Sequence, residues 1–305
     1  MIFAAIFICV IVCAGFWPLI IESRRKEIDA RDRQRSGLLS AALKNGTTSY
    51  QWRGPADGPV VIAIHGLTTP SVVWDAIAQD LAMNGARVLT YDLWARGFSD
   101  APTGHHDAAC FTDQLHELIT YLQIEAPVTL LGYSMGAQIA VSFALARPRC
   151  VGKLVLVAAA GIETVEGRFD MFCRRVPVLG DWAHAAFAAL QLRKTRPVAG
   201  LIPSQVVKMQ RMQMARRGYL PAILAARRGI LTQIQEQQHR ALAKLRIPML
   251  AIWARDDQTI PLRCMGRLAQ WNRAAHHVEI SGAGHRVPYT HGREVSAAIS
   301  KFLTN

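Results

Sequence analysis

The chain has 305 residues, of which 51% are hydrophobic and 19% are charged. That length suits one large α/β domain, alone or with an insertion, and the hydrophobic fraction excludes a disordered chain because it can form a sizeable core. The formal net charge is +13, but no nucleic-acid-binding motif accompanies the charge, so no nucleic-acid partner is predicted.

The first predicted element is an apolar helix from Ile2 to Ile21, in which no residue is charged. About 20 apolar residues are needed for a helix to cross the hydrocarbon core of a bilayer. Residues 1–21 are therefore predicted to form a transmembrane anchor. The alternative is a cleaved signal peptide, which normally has basic residues before the apolar run and a small-residue cleavage site after it; the sequence has neither.

Residues 22–48 are predicted to form a basic linker. Its positive charges crowd the C-terminal flank of the apolar run, at Arg24, Arg25, Lys26, Arg31, Arg33 and Arg35. Basic residues beside a membrane span concentrate on the cytoplasmic side. The chain is therefore predicted to be a single-pass membrane protein whose main body lies on the cytoplasmic side.

Strand-like and helix-like stretches alternate through residues 49–161. The predicted strands are Val60 to Ile64, Ala86 to Asp92, a run beginning at Val128, and Lys153 to Ala158, and the predicted helices are Val73 to Met83, Phe111 to Leu122 and Ala137 to Leu145. Alternation of this kind predicts a mostly parallel central sheet flanked by helices.

The alternation stops after Gly161. Residues 162–243 contain several helix-forming runs and no convincing strand, and a strand from Pro248 to Trp253 follows. Residues 162–243 are predicted to form a helical cap inserted before that strand, and residues 244–305 to complete the sheet domain. Many basic residues lie in the cap: Arg168, Arg174, Arg175, Arg193, Lys194, Arg196, Lys208, Arg211, Arg216, Arg217, Arg227, Arg228 and Arg240.

The basic cap has three interpretations. It could be a lid that lies on an anionic leaflet and admits lipid-like substrates, because basic and apolar side chains alternate in it. It could instead recognise an anionic substrate. The third interpretation is a solvated helical face whose apolar side belongs to the core.

Cysteines and histidines indicate neither a metal nor another cofactor. The cysteines lack the CxxC or Cys/His spacing of a zinc site or a disulfide framework, so reduced thiols are predicted. Paired histidines occur without nearby carboxylates and are predicted to lie in surface loops rather than to bind metal. These are His105, His106, His276 and His277.

A serine lies between two glycines where the Val128 strand ends and the next helix begins. The turn GYSMG, with Gly132, Ser134 and Gly136, would hold the serine in a strained conformation with its hydroxyl exposed, while the glycines let strand and helix approach. Ser134 is therefore a candidate nucleophile. The alternative is an ordinary serine in a tight turn.

An acid and a histidine follow in loops after later strands. AIWARDDQTIP presents Asp256 and Asp257, and ISGAGHRVPYT presents His285. Loops at the carboxyl ends of parallel strands meet at one edge of the sheet. The order serine, acid, histidine is the one found in α/β-hydrolases.

These motifs resemble those of the α/β-hydrolase superfamily over everything after the apolar segment. HGLTT at His65 resembles the His-Gly oxyanion loop, and YDLWARGFSD resembles the Asp-x-x-Gly-x-Gly-x-Ser segment, with Ala95 in place of glycine. WARDD resembles a Trp-Gly-x-x-Asp acid loop, with Ala254 in place of glycine. By that resemblance the acid is Asp257, and Asp256 is a flanking residue.

The resemblance implies a capped serine hydrolase of the esterase or monoacylglycerol-lipase type, with a triad of Ser134, Asp257 and His285. It places the oxyanion hole at the backbone N–H groups of Leu67 and Met135. The supporting residues are His65, which is expected to brace its loop, Gly66, Gly132 and Gly136.

The predicted reaction is hydrolysis of hydrophobic, lipid-like carboxylic esters through an acyl-enzyme, without a cofactor. A serine at the elbow argues against dehalogenases and epoxide hydrolases of this fold, which have aspartate there. Two alternatives remain. One is a carbon–carbon bond hydrolase of the meta-cleavage-product type, and the other is a catalytically silent membrane scaffold with the same fold.

Overall fold

The computed structural model describes residues 2–163, 165–194 and 203–304, without the side chains at positions 4–6, 8–12, 14 and 194. Parts of the predicted anchor and cap, Arg196 among them, therefore lie outside the described residues. Asn305 also lies outside them.

An eight-stranded sheet forms the centre of the molecule, in the order β1-β2-β4-β3-β5-β6-β7-β8. Strand β2 pairs antiparallel with β1 and β4, and the pairings from β4 through β3 to β8 are parallel. The mostly parallel sheet predicted from the sequence is thus confirmed. The strands are β1 Leu39–Leu43, β2 Gly46–Arg53, β3 Val60–Ile64, β4 Arg87–Tyr91, β5 Val128–Tyr133, β6 Val151–Val157, β7 Met249–Ala254 and β8 His276–Ile280.

Helices cover both faces of the sheet, which is why its inner strands are nearly continuous apolar runs. They are α1 Ile2–Ser23, α2 Ala30–Ser36, α3 Asp75–Met83, α4 Ala108–Tyr121, α5 Met135–Ala146, α6 Arg168–Arg175, α7 Leu179–Lys194, α8 Ser204–Gln213, α9 Tyr219–Arg228, α10 Glu236–Leu245, α11 Arg263–Trp271, α12 Val287–Thr290 and α13 Gly292–Thr304. The buried side chains of α4, α5, α10 and α11 form one core with the sheet, and those of α3 and α13 form the other.

The sheet begins earlier in the chain than the sequence predicted. Residues 22–48 were expected to be a linker, but β1 lies inside that range and β2 begins there. The two strands form a hairpin around Lys44 and Asn45, followed by Gly46 at φ 139°. The hairpin's buried residues include Thr48 and Ser49, so its strands lack the hydrophobic pattern by which a strand is recognised.

The region after β6 forms a cap and then returns to the sheet. Helices α6 to α9 contribute residues to the cavity above Ser134. Helix α10 packs on α5 and α11 instead, and its Leu242 belongs to the sheet core. The cap in the structure therefore ends before α10, whereas the sequence placed its boundary at residue 243. No strand occurs among the described residues of 162–243.

Helix α1 occupies the segment predicted to be a membrane anchor, and it packs against α7 of the cap. The residues after it also contact the cap. Glu22 accepts a hydrogen bond from the Gly218 N–H, and Arg25 donates one to the Met214 carbonyl, both at 2.7 Å. Within the described part of the chain, no helix combines the length and the apolar character that crossing a membrane requires.

Candidate active site

Ser134 stands at a sharp turn between the end of β5 and the start of α5. Its backbone has φ 53° and ψ −117°, a conformation that costs a non-glycine residue free energy and is found where a site requires it. A Cβ added at Gly136 would lie 2.1 Å from the Ile64 carbonyl oxygen, and one at Gly132 would lie 2.5 Å from the Gly136 carbonyl oxygen. Both glycines are therefore required for β3, β5 and α5 to approach this closely.

The structure brings Ser134, His285 and Asp257 together in one hydrogen-bonded row. The His285 Nε2 atom lies 3.1 Å from the Ser134 hydroxyl oxygen, and its Nδ1 lies 2.8 Å from Oδ2 of Asp257. A carboxylate only accepts hydrogen bonds, so Nδ1 carries a proton and Nε2 is the free acceptor that faces the serine. This is the arrangement in which a histidine can remove the serine proton.

Asp257 is held rigidly in the loop after β7. Its other oxygen, Oδ1, accepts hydrogen bonds from the Thr259 and Ile260 N–H groups at 2.7 and 2.8 Å. The Asp257 side chain is only 1% exposed, whereas Asp256 is exposed. The structure therefore places Asp257, and not Asp256, against the histidine.

Tyr133, which the sequence analysis did not single out, supports the histidine loop. Its hydroxyl donates to the His285 carbonyl at 2.8 Å, and the centres of the two rings are 5.4 Å apart. Burial raises the pKa of Tyr133 well above its usual value, so the hydroxyl stays a donor. The residue before the nucleophile thus also fixes the backbone that carries the base.

The predicted oxyanion hole consists of the N–H groups of Leu67, which lines the same cavity as Ser134, and of Met135, which follows Ser134 in the chain. Met135 is the first residue of α5, where helix N–H groups lack an intrahelical acceptor. Gly66 lies against the elbow, because a Cβ added to it would come within 3.3 Å of the Ser134 Cβ. Neither N–H donates to any group in the described ranges, which leaves both available to a substrate oxygen.

His65 fixes the peptide that contains the Leu67 N–H. Its Nε2 accepts the Leu93 N–H at 2.9 Å, so its Nδ1 carries the proton and donates to the Gly66 carbonyl at 2.8 Å. Burial lowers the pKa of His65 to about 3, which keeps the ring neutral. The Gly66 carbonyl and the Leu67 N–H belong to one trans peptide and point in opposite directions, so His65 sets the direction of that N–H.

Arg96 holds the next peptide of the same loop, a role the sequence analysis missed. The side chain is fully buried and donates to the Leu67 carbonyl at 3.2 Å, the Trp94 carbonyl at 2.7 Å and the Ala222 carbonyl of α9 at 3.4 Å. Burial lowers its pKa to about 10, so the guanidinium stays charged at neutral pH. It thereby links the oxyanion loop to the cap.

His106 supports Arg96 and is not the surface residue that the sequence predicted. It is 3% exposed, and its Nδ1 lies 3.1 Å from Nη1 of Arg96. Burial, together with the charge of Arg96, lowers the pKa of His106 to about 3, so it is a neutral acceptor. His105 beside it is exposed.

The second predicted pair of surface-loop histidines lies in a strand. His276 and His277 belong to β8 at the sheet edge, and the Trp253 indole N–H donates to Nδ1 of His277 at 3.0 Å. His276 is exposed and His277 is half-buried, because successive side chains of a strand point to opposite faces of the sheet. Among the described residues no group of three His, Cys, Asp or Glu side chains could hold a metal ion.

A cavity of about 720 Å³ lies above Ser134, and residues of α6 to α9 form part of its wall. Part of its wall is apolar, where Ala188, Met214 and Ile223 cluster with Leu67. Another part is charged, but its cap arginines are already paired. Arg174 binds Glu166, and Arg227 lies 3.0 Å from Asp170. The cavity can therefore enclose an ester that has both apolar and polar parts.

Comparison with known proteins bears on the fold. A family model for the alpha/beta hydrolase fold matches residues 59–291. An uncharacterized protein of Mycobacterium tuberculosis is 33% identical over 111 residues, and this match spans 36% of the chain and only 32% of that protein. The chain thus covers about a third of the length of that relative.

Other relatives match over most of their length. A bifunctional esterase/perhydrolase of Acinetobacter calcoaceticus is 24% identical over 83% of this chain and 95% of its own. A 2-hydroxy-6-oxononadienedioate/2-hydroxy-6-oxononatrienedioate hydrolase of Cupriavidus pinatubonensis is 26% identical over 86% of this chain and 94% of its own. The crystal structure of an enol-lactonase from Burkholderia xenovorans has a TM-score of 0.73 at 20% identity, covering 88% of this chain and all of that one.

Proposed function

The chain belongs to the α/β-hydrolase fold family, and on that premise we propose that it is a serine hydrolase of carboxylic esters. Ser134 is the nucleophile, His285 the general base and Asp257 the acid that orients the base. The observation that carries the proposal is the row of hydrogen bonds from Ser134 through His285 to Asp257 at the floor of the cavity. A neutral serine is a weak nucleophile, and an adjacent oriented base activates it.

The reaction proceeds in two halves. The Ser134 oxygen attacks the ester carbonyl carbon as its proton moves to Nε2 of His285, and Asp257 stabilises the resulting imidazolium. The N–H groups of Leu67 and Met135 bind the negative oxygen of the tetrahedral intermediate. The carbon–oxygen bond of the ester then breaks, and His285 gives its proton to the leaving alcohol. Water, deprotonated by His285, cleaves the acyl-enzyme in the same way.

The expected substrates are esters with a hydrophobic acyl group. The apolar cluster of Ala188, Met214 and Ile223 beside the oxyanion loop supports this preference, because burying an acyl chain there is favourable. The similarity to an esterase/perhydrolase over most of both chains also supports ester cleavage.

The main alternative is a carbon–carbon bond hydrolase, which the similarity to a nonadienedioate hydrolase motivates. Such an enzyme would act on vinylogous keto acids and turn over simple esters poorly. A silent scaffold is the alternative outside enzymes. It would be indifferent to Ser134→Ala in every assay of its role.

The proposal is tested with a fluorophosphonate probe and a chain-length series of p-nitrophenyl esters. Wild-type protein should be labelled and should hydrolyse the esters, and Ser134→Ala should lose both activities while keeping the wild-type unfolding transition. Absence of labelling in folded wild-type protein would favour the scaffold. Labelling with turnover of keto acids but not of esters would favour the carbon–carbon hydrolase.

We also propose that residues 1–21 attach the protein to a membrane, with the catalytic domain on the cytoplasmic side. The uncharged run from Ile2 to Ile21 and the exposed apolar side chains of Phe3, Phe7 and Trp17 on α1 support membrane attachment. The basic residues after the run support the cytoplasmic side. A reporter fused after Asn305 should be active in the cytoplasm; activity only on the opposite side would contradict the proposed topology.

A further inference from the structure

Two buried polar atoms on the cap side of the cavity lack a hydrogen-bond partner among the described residues. They are Nδ1 of His184 on α7 and Nε of Arg227 on α9, and both residues line the cavity. His184 is only 3% exposed. A buried polar atom without a partner is costly, and where one borders a binding cavity it indicates a polar group on the ligand.

The two atoms are chemically complementary. Nε2 of His184 lies 2.9 Å from the Leu220 carbonyl oxygen, which can only accept, so the proton is on Nε2. Burial first, and the charge of Arg227 in addition, lower the pKa of His184, so the ring is neutral and its Nδ1 is an acceptor. The Arg227 Nε–H is a donor, while the Nη1 of the same guanidinium lies 3.0 Å from Asp170.

The position of the pair follows from α9, which presents Tyr219, Ile223 and Arg227 to the cavity at intervals of one helical turn. The Tyr219 hydroxyl donates to the Thr68 carbonyl at 3.2 Å, so this end of α9 lies at the oxyanion loop. Side chains on a helix lean toward its N-terminus, so the Arg227 guanidinium lies nearer to that end than the Arg227 backbone does. His184 is hydrogen-bonded to the Leu220 carbonyl, near the same end of α9. The two atoms therefore lie about one to two turns along α9, roughly 5 to 11 Å, from the oxyanion loop.

Both residues border the cavity, and the charge of Arg227 acts on the His184 ring, so one ligand group that both donates and accepts can satisfy the two atoms together. A hydroxyl accepts from the Arg227 Nε–H and donates to Nδ1 of His184. An alkyl chain would leave both atoms without partners. A carboxylate would be repelled by the His184 lone pair and by Asp170, and Arg227 already has an acid partner.

We propose that His184 and Arg227 form a subsite for a substrate hydroxyl group, so that the preferred esters carry a hydroxyl one to two helical turns from the scissile carbonyl. The inference rests on the proposed ester hydrolysis at Ser134 and narrows its substrate class. The hydroxyl can belong to the acyl group, as in a hydroxyacyl ester, or to the alcohol, as in a polyol ester.

The test compares matched esters in two series. The acyl series consists of p-nitrophenyl esters of four-, six- and eight-carbon acids, each with a terminal methyl, hydroxyl or carboxylate group. The alcohol series consists of hexanoate esters of matched alkanols and alkanediols. In whichever series carries the hydroxyl on the correct side of the ester, the wild-type kcat/KM should be about tenfold higher for the hydroxyl ester than for its methyl analogue at one chain length. That factor corresponds to the net contribution of about one hydrogen bond.

The variants His184→Phe and Arg227→Lys should reduce that ratio to about one. Arg227→Lys keeps a cation for Asp170 but removes the Nε–H, and it covers the case in which His184→Phe fails to fold. Arg228→Lys is the matched control, because Arg228 is the next residue of α9, pairs with Asp181 and does not line the cavity. It should keep the wild-type ratio.

Fluorophosphonate labelling separates failure of the subsite from failure of the proposed function. A wild-type protein that is labelled and hydrolyses esters, but prefers the hydroxyl ester in neither series, would overturn the subsite while leaving the esterase intact. A preference for carboxylate esters, or a hydroxyl preference that both variants retain, would also overturn it. Absence of labelling and of turnover would refute the proposed function itself.

Discussion

Replacing Asp257 with asparagine tests the catalytic geometry most selectively, because the substitution preserves size and alters one hydrogen bond. The introduced asparagine can keep its amide oxygen toward the Thr259 and Ile260 N–H groups, which Oδ1 of Asp257 accepts at 2.7 and 2.8 Å. Its NH₂ group would then face Nδ1 of His285. That nitrogen would have to become an acceptor, which moves the imidazole proton to Nε2.

The expected loss is large because the proton on Nε2 would then point at Ser134, and the base could no longer accept the serine proton. The same change of tautomer in a serine protease lowers kcat by about 10⁴, equivalent to about 5 kcal/mol of transition-state stabilisation. The asparagine removes a charge but keeps the loop hydrogen bonds. The free energy of unfolding should therefore fall by about 1 kcal/mol or less.

The assay is kcat/KM on the best p-nitrophenyl ester, with urea unfolding of each variant alongside. Asp256→Asn is the matched control, since Asp256 is the adjacent carboxylate and is exposed. It should retain activity within about twofold. Near-complete activity in Asp257→Asn, or a loss of about 10⁴ in Asp256→Asn, would refute the assignment.

Three further predictions concern the support of the site. Arg96→Met should lower kcat/KM by about 10- to 100-fold and the free energy of unfolding by about 3 kcal/mol, because buried acceptors including the Leu67 carbonyl lose a charged donor; unchanged kinetics would contradict its link to the oxyanion loop. Gly136→Ala should cost about 3 kcal/mol in urea unfolding, because its Cβ would lie 2.1 Å from the Ile64 carbonyl oxygen; wild-type stability would contradict the close contact. The pKa of His106 is lowered to about 3, so the unfolded state binds more protons than the folded state between about pH 6.5 and pH 3, and the free energy of unfolding falls as the pH drops through that window. His106→Gln should make the free energy of unfolding depend less steeply on pH there, by about 1.4 kcal/mol per pH unit. An unchanged pH dependence would refute a buried neutral histidine.

The elbow and the acid loop could be predicted from the sequence because each follows a strand with a clear hydrophobic pattern, whereas the His285 loop follows β8, whose sequence HHVEI is not apolar. The elbow after β5 and the acid loop after β7 both come directly after buried apolar runs. Parallel strands bring the ends of such runs to one edge. The alternation of strands and helices, together with the order of the loops in the chain, therefore already predicts that Ser134 and Asp257 lie at the same edge of the sheet.

The support of the site could not be predicted in the same way. Arg96 bonds to the Leu67 carbonyl and to Ala222, which is 126 positions away in the sequence. His106 is buried in contact with Arg96 and with the Phe111 ring, and these contacts form only in the folded chain. The sequence does contain one indication that Arg96 is structural. It is the single arginine within the otherwise apolar or small stretch from Trp94 to Phe98.

The hairpin of β1 and β2 and the polar wall of the cap were missed for related reasons. Thr48 and Ser49 are buried by hydrogen bonds and pairing rather than by apolar side chains. In the cap, the number of basic residues did not reveal that Arg174 is paired with Glu166 just before α6, or that Arg227 of α9 is paired with Asp170 of α6. Pairing between distant residues is a property of the folded chain, which composition alone does not contain.

The central claim is that Ser134 is an activated nucleophile, and intact-mass measurement after fluorophosphonate treatment tests it most directly. Wild-type protein and Asp256→Asn should each gain one adduct, which peptide mapping should place on Ser134, and Ser134→Ala should gain none. An adduct on Ser134→Ala, or none on folded wild-type protein, would contradict the assignment of Ser134 as the nucleophile.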